Sequence, residues 1–162
     1  HNGTITVDSN TNGTTFTLYL PATQDKLERS QDTIQIDDLS GNGETILIID
    51  DEQQQLDIGS KMLTLLGYQV KTAASGKEAI EYLQENQVDL LLLDMVMDPG
   101  ISGRETYEQI IAIHPGQKAL ICSGFSETIK VKRVQDLGAG QLIRKPYLIR
   151  NIGLAVKKIL AE

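Results

Sequence analysis

The sequence predicts an α/β fold: an N-terminal β-hairpin followed by a doubly wound, five-stranded parallel sheet. Three observations carry that expectation. Two runs, "TILIID" (45–50) and "LLLLD" (90–94), are apolar without alternation, as parallel strands covered on both faces require. Segments with apolar residues at helical spacing lie between and after these runs. The opening residues 1–22, "HNGTITVDSNTNGTTFTLYLPA", instead alternate strictly and are rich in Thr.

In that opening stretch Ile5 and Val7 share one face, and Phe16, Leu18 and Leu20 share another, with "SNTNG" supplying turn chemistry between them. Residues 23–43 are polar, weakly patterned and end in Gly-rich "GNG", which predicts a linker. From residue 44 to 162 strands and helices alternate. "YQVKTA", "KALICS" and "QLIR" add three strands to the two apolar runs. Leu56, Gly59, Leu63 and Leu66 stripe the first helix, and Gly67 stops it. "SGKE" (75–78) and "SGRE" (102–105) are both spaced as capping boxes. Val131, Val134 and Leu137 precede Gly138 in a helix expected from about 126 to 137, and Ile152, Val156 and Ile159 line the last helix.

Composition excludes several classes. A net charge of -7 over 162 residues opposes a sequence-blind nucleic-acid binder, which needs a basic face. No apolar run approaches the roughly 20 residues of a membrane span, and no signal segment opens the chain. The single Cys122 fits a reducing compartment and reads as a small core residue. With His1 as its first residue, the chain is expected to be a cytoplasmic fragment of something longer.

In doubly wound sheets ligands sit at the carboxyl ends of the strands. Here those ends carry Asp50-Asp51, Asp94, Ser123 and Lys145-Pro146. Three converging carboxylates repel unless a cation joins them, and hard oxygen donors suit Mg²⁺. A carboxylate beside Mg²⁺, an ammonium and a hydroxyl is equipped to attack phosphorus. By contrast, Asp98 reads as a solvated loop acid, and His114 as an ordinary helix end before Pro115.

Taken together, "LIIDDE", "LLLLDMVM", "LICSGFS" and "IRKPY" resemble the response-regulator receiver domain of two-component signalling over residues 44–162. The resemblance implies the flavodoxin-like strand order 2-1-3-4-5, with Asp94 as phosphoacceptor. It implies Mg²⁺ held by Asp50, Asp51, Asp94 and the Val96 backbone carbonyl. Ser123 and Lys145 would meet the phosphoryl oxygens, with the amides of Met95, Val96 and Gly124. Ser123 and the residue at Leu142 would form the switch, although this family usually has an aromatic at the latter place. A further departure is Asp98, which holds a position where the family often has Pro. Val96 and Phe125 occupy positions that tune phosphoryl lifetime, and apolar residues there predict slow autodephosphorylation.

"NGTTFTLYLP" resembles the closing strands of the ATP-binding domain of histidine kinases. That implies a hybrid kinase, cytoplasmic or the cytosolic part of a membrane-bound one, whose carboxyl-terminal receiver takes its phosphoryl group from a phosphohistidine. The donor would lie in the same chain or a dimer partner, and the onward acceptor would be water or a histidine phosphotransfer protein. Residues 1–22 lack the kinase catalytic core and are expected to dock on the receiver or on a second chain. Two rivals stand beside this reading. One is a pseudo-receiver that never takes phosphate, which the full set of Asp50, Asp51, Asp94, Ser123 and Lys145 opposes. The other is an aspartate-nucleophile phosphatase, which would want an acid where Val96 stands.

Overall fold

A computed structural model describes residues 2–22, 36–124 and 129–161 of the chain. The greater part of the expected linker (23–35), Phe125 and the expected helix start at 126–128 lie outside the described residues. The chain divides into two units, His1–Thr33 and Ile34–Glu162.

The first unit holds β1 (Thr4–Asn10) and β2 (Gly13–Tyr19), paired antiparallel. A two-residue turn joins them. Asn10 Oδ1 accepts from the Asn12 amide at 2.8 Å, and Gly13 takes φ 142°, which a side chain would resist. The register corrects one expectation. Ile5 stands opposite Leu18 and Val7 opposite Phe16. Directly opposed residues project to the same side of a sheet, so these four apolar residues share one face, not two.

The second unit contains β3 (Thr45–Ile49), α1 (Gln53–Leu65), β4 (Gln69–Ala73), α2 (Gly76–Glu85) and β5 (Leu90–Asp94). It continues with α3 (Gly103–Ile113), β6 (Ala119–Ser123), α4 (Ile129–Asp136), β7 (Leu142–Arg144) and α5 (Ile149–Ala161). The five strands are parallel in the order β4-β3-β5-β6-β7, which is the expected 2-1-3-4-5 within this unit. Only one of the two predicted capping boxes is complete. Ser102 and Glu105 satisfy each other's backbone amides at the start of α3. At α2, Ser75 Oγ accepts from the Glu78 amide, but the Glu78 carboxylate reaches the Ala74 amide instead, at 2.7 Å. Val134 is fully buried in α4, whereas Leu137, expected on the same stripe, lies past the helix end and is exposed.

The end of the expected linker belongs to the packed body. Residues Ile36–Leu39 form a 3-10 turn, and Leu39 is buried beside α5. The Gly41 amide donates to the Leu66 carbonyl at 2.8 Å, and Lys157 Nζ donates to the Asp38 carbonyl.

Residue parity organises the core. Ile46, Ile48, Leu90, Leu92, Leu120, Cys122 and Ile143 join one apolar cluster with α1 and α5. Leu47, Ile49, Leu91, Leu93, Ala119 and Ile121 join the other, with α2, α3 and α4. Successive strand residues face opposite sides, so each apolar run feeds both layers. Each fully buried Leu contributes about 1.5–3 kcal/mol. The same alternation puts Asp50, Asp94 and Lys145 in step with the α1/α5 side, because they continue 46-48, 90-92 and 143.

At the carboxyl edge, α3 begins almost in contact with β5. A Cβ at Gly103 would lie 2.1 Å from the Asp94 carbonyl oxygen and 2.8 Å from Met95 Cα, both backbone atoms. Gly103→Ala is therefore expected to lower stability by about 1–3 kcal/mol, the usual cost of overpacking. Urea denaturation checks this, and an unchanged midpoint contradicts it.

Candidate functional site

Asp50 follows β3 and is almost fully buried, and Asp94 closes β5 with 6% exposure. Asp51 is exposed, at the start of the β3–α1 loop. Each of the three carboxylates offers an oxygen within 4.8 Å of the others.

Lys145, just past β7, joins the two buried acids. Its Nζ lies 2.5 Å from Asp50 Oδ2 and 3.1 Å from Asp94 Oδ2. Backbone amides complete their coordination: Glu52 N donates to Asp50 Oδ1 at 3.0 Å and Met95 N to Asp94 Oδ1 at 2.8 Å. The Lys145-Pro146 peptide is cis, as is Asp98-Pro99. The Lys145 amide donates to the Ser123 carbonyl at 3.0 Å, which pins the end of β7 to β6.

Burial pushes the Asp94 carboxyl above the usual range. The charge of Asp50 adds to the rise, while Lys145 and the Met95 amide oppose it. For Lys145 burial works to lower the ammonium, but the Asp50 hydrogen bond and the charges of Asp94 and Asp50 outweigh it, and the net direction is upward. Three carboxylates face one ammonium here, so the cluster keeps a surplus of negative charge. The donor set fits Mg²⁺. Oxygens around one such ion at about 2.1 Å lie within about 4.2 Å of each other, so only a small closure is needed from the observed spacing. Beside the acids a cleft of about 380 Å³ is lined by Glu52, Gln55, Asp94, Val96, Gly124, Lys145 and Pro146.

The structure brings most of the expected residues to this edge. Ser123 is buried at the end of β6, Gly124 is exposed with open space around its Cα, and Val96 is 61% exposed at the cleft. The Met95 amide, expected among those that aid phosphoryl binding, donates to Asp94 Oδ1 and the Cys122 carbonyl. Leu142, at the expected switch position, pairs with Ile121 in the sheet and is half-buried against the α2–α4 side. An aromatic near the site is Tyr147, buried on the α1/α5 side in the same apolar cluster as Cys122. Its signal in the sequence was the apolar ring two residues after Lys145. Burial pushes the Tyr147 hydroxyl upward. His114 ends α3, with its Nε2 2.6 Å from the Leu83 carbonyl, in a structural role.

The family model for the response regulator receiver domain matches residues 46–157. Sporulation initiation phosphotransferase F of Bacillus subtilis is 32% identical over 117 residues, covering 72% of this chain and 94% of that protein. Sensor kinase CckA of Brucella abortus is 30% identical over 166 residues, covering 93% of this chain, which spans 17% of that kinase's length. A receiver domain structure from Methanospirillum hungatei superposes with a TM-score of 0.69 at 28% identity, over 74% of this chain and 94% of that one. Response regulator TrrA of Thermotoga maritima, solved with Mg²⁺ and BeF, gives 0.65 at 28% identity, over 72% and 98%.

Two outcomes follow from the electrostatics. A raised folded pKa makes Asp94 favour folding below the ordinary carboxylate range, a contribution lost as pH rises through the folded pKa. Near pH 7 without metal, Asp94→Asn is therefore expected to raise the urea midpoint, and the gap should close as pH falls. A lower midpoint for the variant at every pH contradicts this. Burial also pushes the Cys122 thiol up to about 12. The native protein should resist a thiol reagent near pH 8 and react only when unfolded. Rapid native labelling contradicts that.

Proposed function

The chain belongs to the response regulator receiver domain family of two-component systems, and on that premise we propose that Asp94 is its phosphoacceptor, served by Mg²⁺ held at Asp50, Asp51 and Asp94. The observation that carries the reading is the Lys145 ammonium standing between two buried carboxylates, with Asp51 beside them at the strand ends. When bound, Mg²⁺ would supply positive charge to the phosphoryl oxygens. Asp94 attacks the phosphorus of a phosphohistidine. The new P–O bond forms as the P–N bond breaks, and the imidazole leaves with its electron pair and takes up a proton. Lys145 keeps its contact with Asp50 and exchanges Asp94 Oδ2 for a phosphoryl oxygen. Ser123 meets another oxygen, aided by the amides of Val96 and Gly124, two residues that line the cleft. The product adds about one to two negative charges at the edge of a packed sheet and biases the surrounding loops between two states.

We assign the phosphodonor to a histidine kinase, and residues 1–22 to the end of a kinase ATP-binding domain. The match to a sensor kinase supports this. It covers 93% of 162 residues and so leaves out about 11, too few to omit the whole hairpin. The shared apolar face of Ile5, Val7, Phe16 and Leu18 supplies a surface for pairing with a second copy. A location in the cytoplasm fits these partners. Among the described residues no helix is long and apolar enough to cross a membrane.

Treatment with a small phosphodonor and Mg²⁺ should add one phosphoryl mass to the wild type and none to Asp94→Asn, and chelation should suppress the gain. Phosphate on the variant, or none on the wild type, overturns the assignment. Val96 offers no side-chain group to orient an attacking water, so the phosphorylated protein should be long-lived. A half-life of seconds contradicts that expectation.

A further inference from the structure

The three clustered acids are held in unequal ways. Asp50 and Asp94 are buried and fixed by Lys145 and by neighbouring amides. Asp51 is exposed, and an exposed carboxylate must give up rotamer freedom before it can serve as a ligand. The contact that orients it comes from 47 residues away: the Asp98 backbone amide donates to Asp51 Oδ2 at 3.0 Å.

The β5–α3 loop is built to present that amide. Met95 and Met97 are buried on one side of it, and Gly103 is pressed against the Asp94 carbonyl on the other. Residues 98–100 are exposed between these anchors. One residue fewer before Pro99 would put proline in the donor's place, and proline has no N–H. The carboxylate of Asp98 is not a member of the acid cluster found among the described residues. Its main chain makes the contact.

We propose that Asp98 is a positioning residue for Mg²⁺ at Asp51, acting through its backbone amide, which straps the β5–α3 loop to the β3–α1 loop. The strap occupies Oδ2 and leaves the remaining Asp51 lone pairs for a metal, so the ligand is oriented before the ion arrives. This rests on the reading of the acid cluster as a Mg²⁺ site.

The test compares wild type, Asp98→Asn and Asp98→Pro at fixed ionic strength. Both variants lose the side-chain charge, but only proline loses the amide. Calorimetric Mg²⁺ titration should give Asp98→Pro an affinity about three- to tenfold weaker than Asp98→Asn, the range of one ordinary hydrogen bond. The metal-free urea midpoint of Asp98→Pro should lie below that of Asp98→Asn by no more than one hydrogen bond accounts for. Equal affinities in the two variants overturn the strap, whereas no Mg²⁺ binding by wild type overturns the underlying site. Hydrogen exchange on the metal-free wild type provides a readout that needs no variant to fold. The Asp98 amide should exchange more slowly than in an unstructured peptide, and free exchange overturns the proposal.

Discussion

Asp50 and Asp94 end adjacent parallel strands, and the Lys145 ammonium stands between their carboxylates. Two like charges about 4 Å apart repel by about 4 kcal/mol at an effective dielectric near 20. A parallel sheet cannot avoid bringing such residues together, because every strand delivers its carboxyl end to the same edge. Lys145 starts three strands from β3, about 14 Å at ordinary strand spacing, so its long side chain must lie back across the edge to reach Asp50. The Lys145 amide, tied to the Ser123 carbonyl, sets the starting point of that reach.

The wall beneath the site is rigid for the same reason that the core is. Leu90 to Leu93 are all but fully buried and alternate between the two apolar clusters, so β5 cannot slide without exposing one layer or the other. Beside the acids, Cys122 and Tyr147 are buried together on the α1/α5 side in apolar surroundings. The side facing the cleft is made of loops, with Val96, Asp98, Gly100 and Gly124 exposed. A charge added to Asp94 therefore meets a packed wall on one side and adaptable backbone on the other, which is the arrangement a two-state surface needs.

Much of this was legible in advance, because apolar runs and strand ends are local signals. "TILIID" and "LLLLD" marked two central strands, and the acids following them fell where a doubly wound sheet gathers its functional groups. Contacts made by backbone atoms were not legible. Nothing in "DMVMDPG" signals that the Asp98 amide would find Asp51, or that the Met95 amide would be taken by Asp94 and Cys122. The polar look of residues 36–43 likewise hid a buried apolar residue, Leu39, that ties this stretch to α5.

Residue order by itself determined which side chains could be functional and which layer each strand residue would face, since alternation along a strand has a fixed period of two. It also determined that Ser75 and Ser102 would cap the starts of α2 and α3. Tertiary structure decided the rest. It buried Tyr147 on the α1/α5 side and set Leu142 against the other layer. It also drew three acids and one ammonium to a common point. Those outcomes depend on distances between residues far apart in the chain, and only the packing of the sheet against its helices sets such distances.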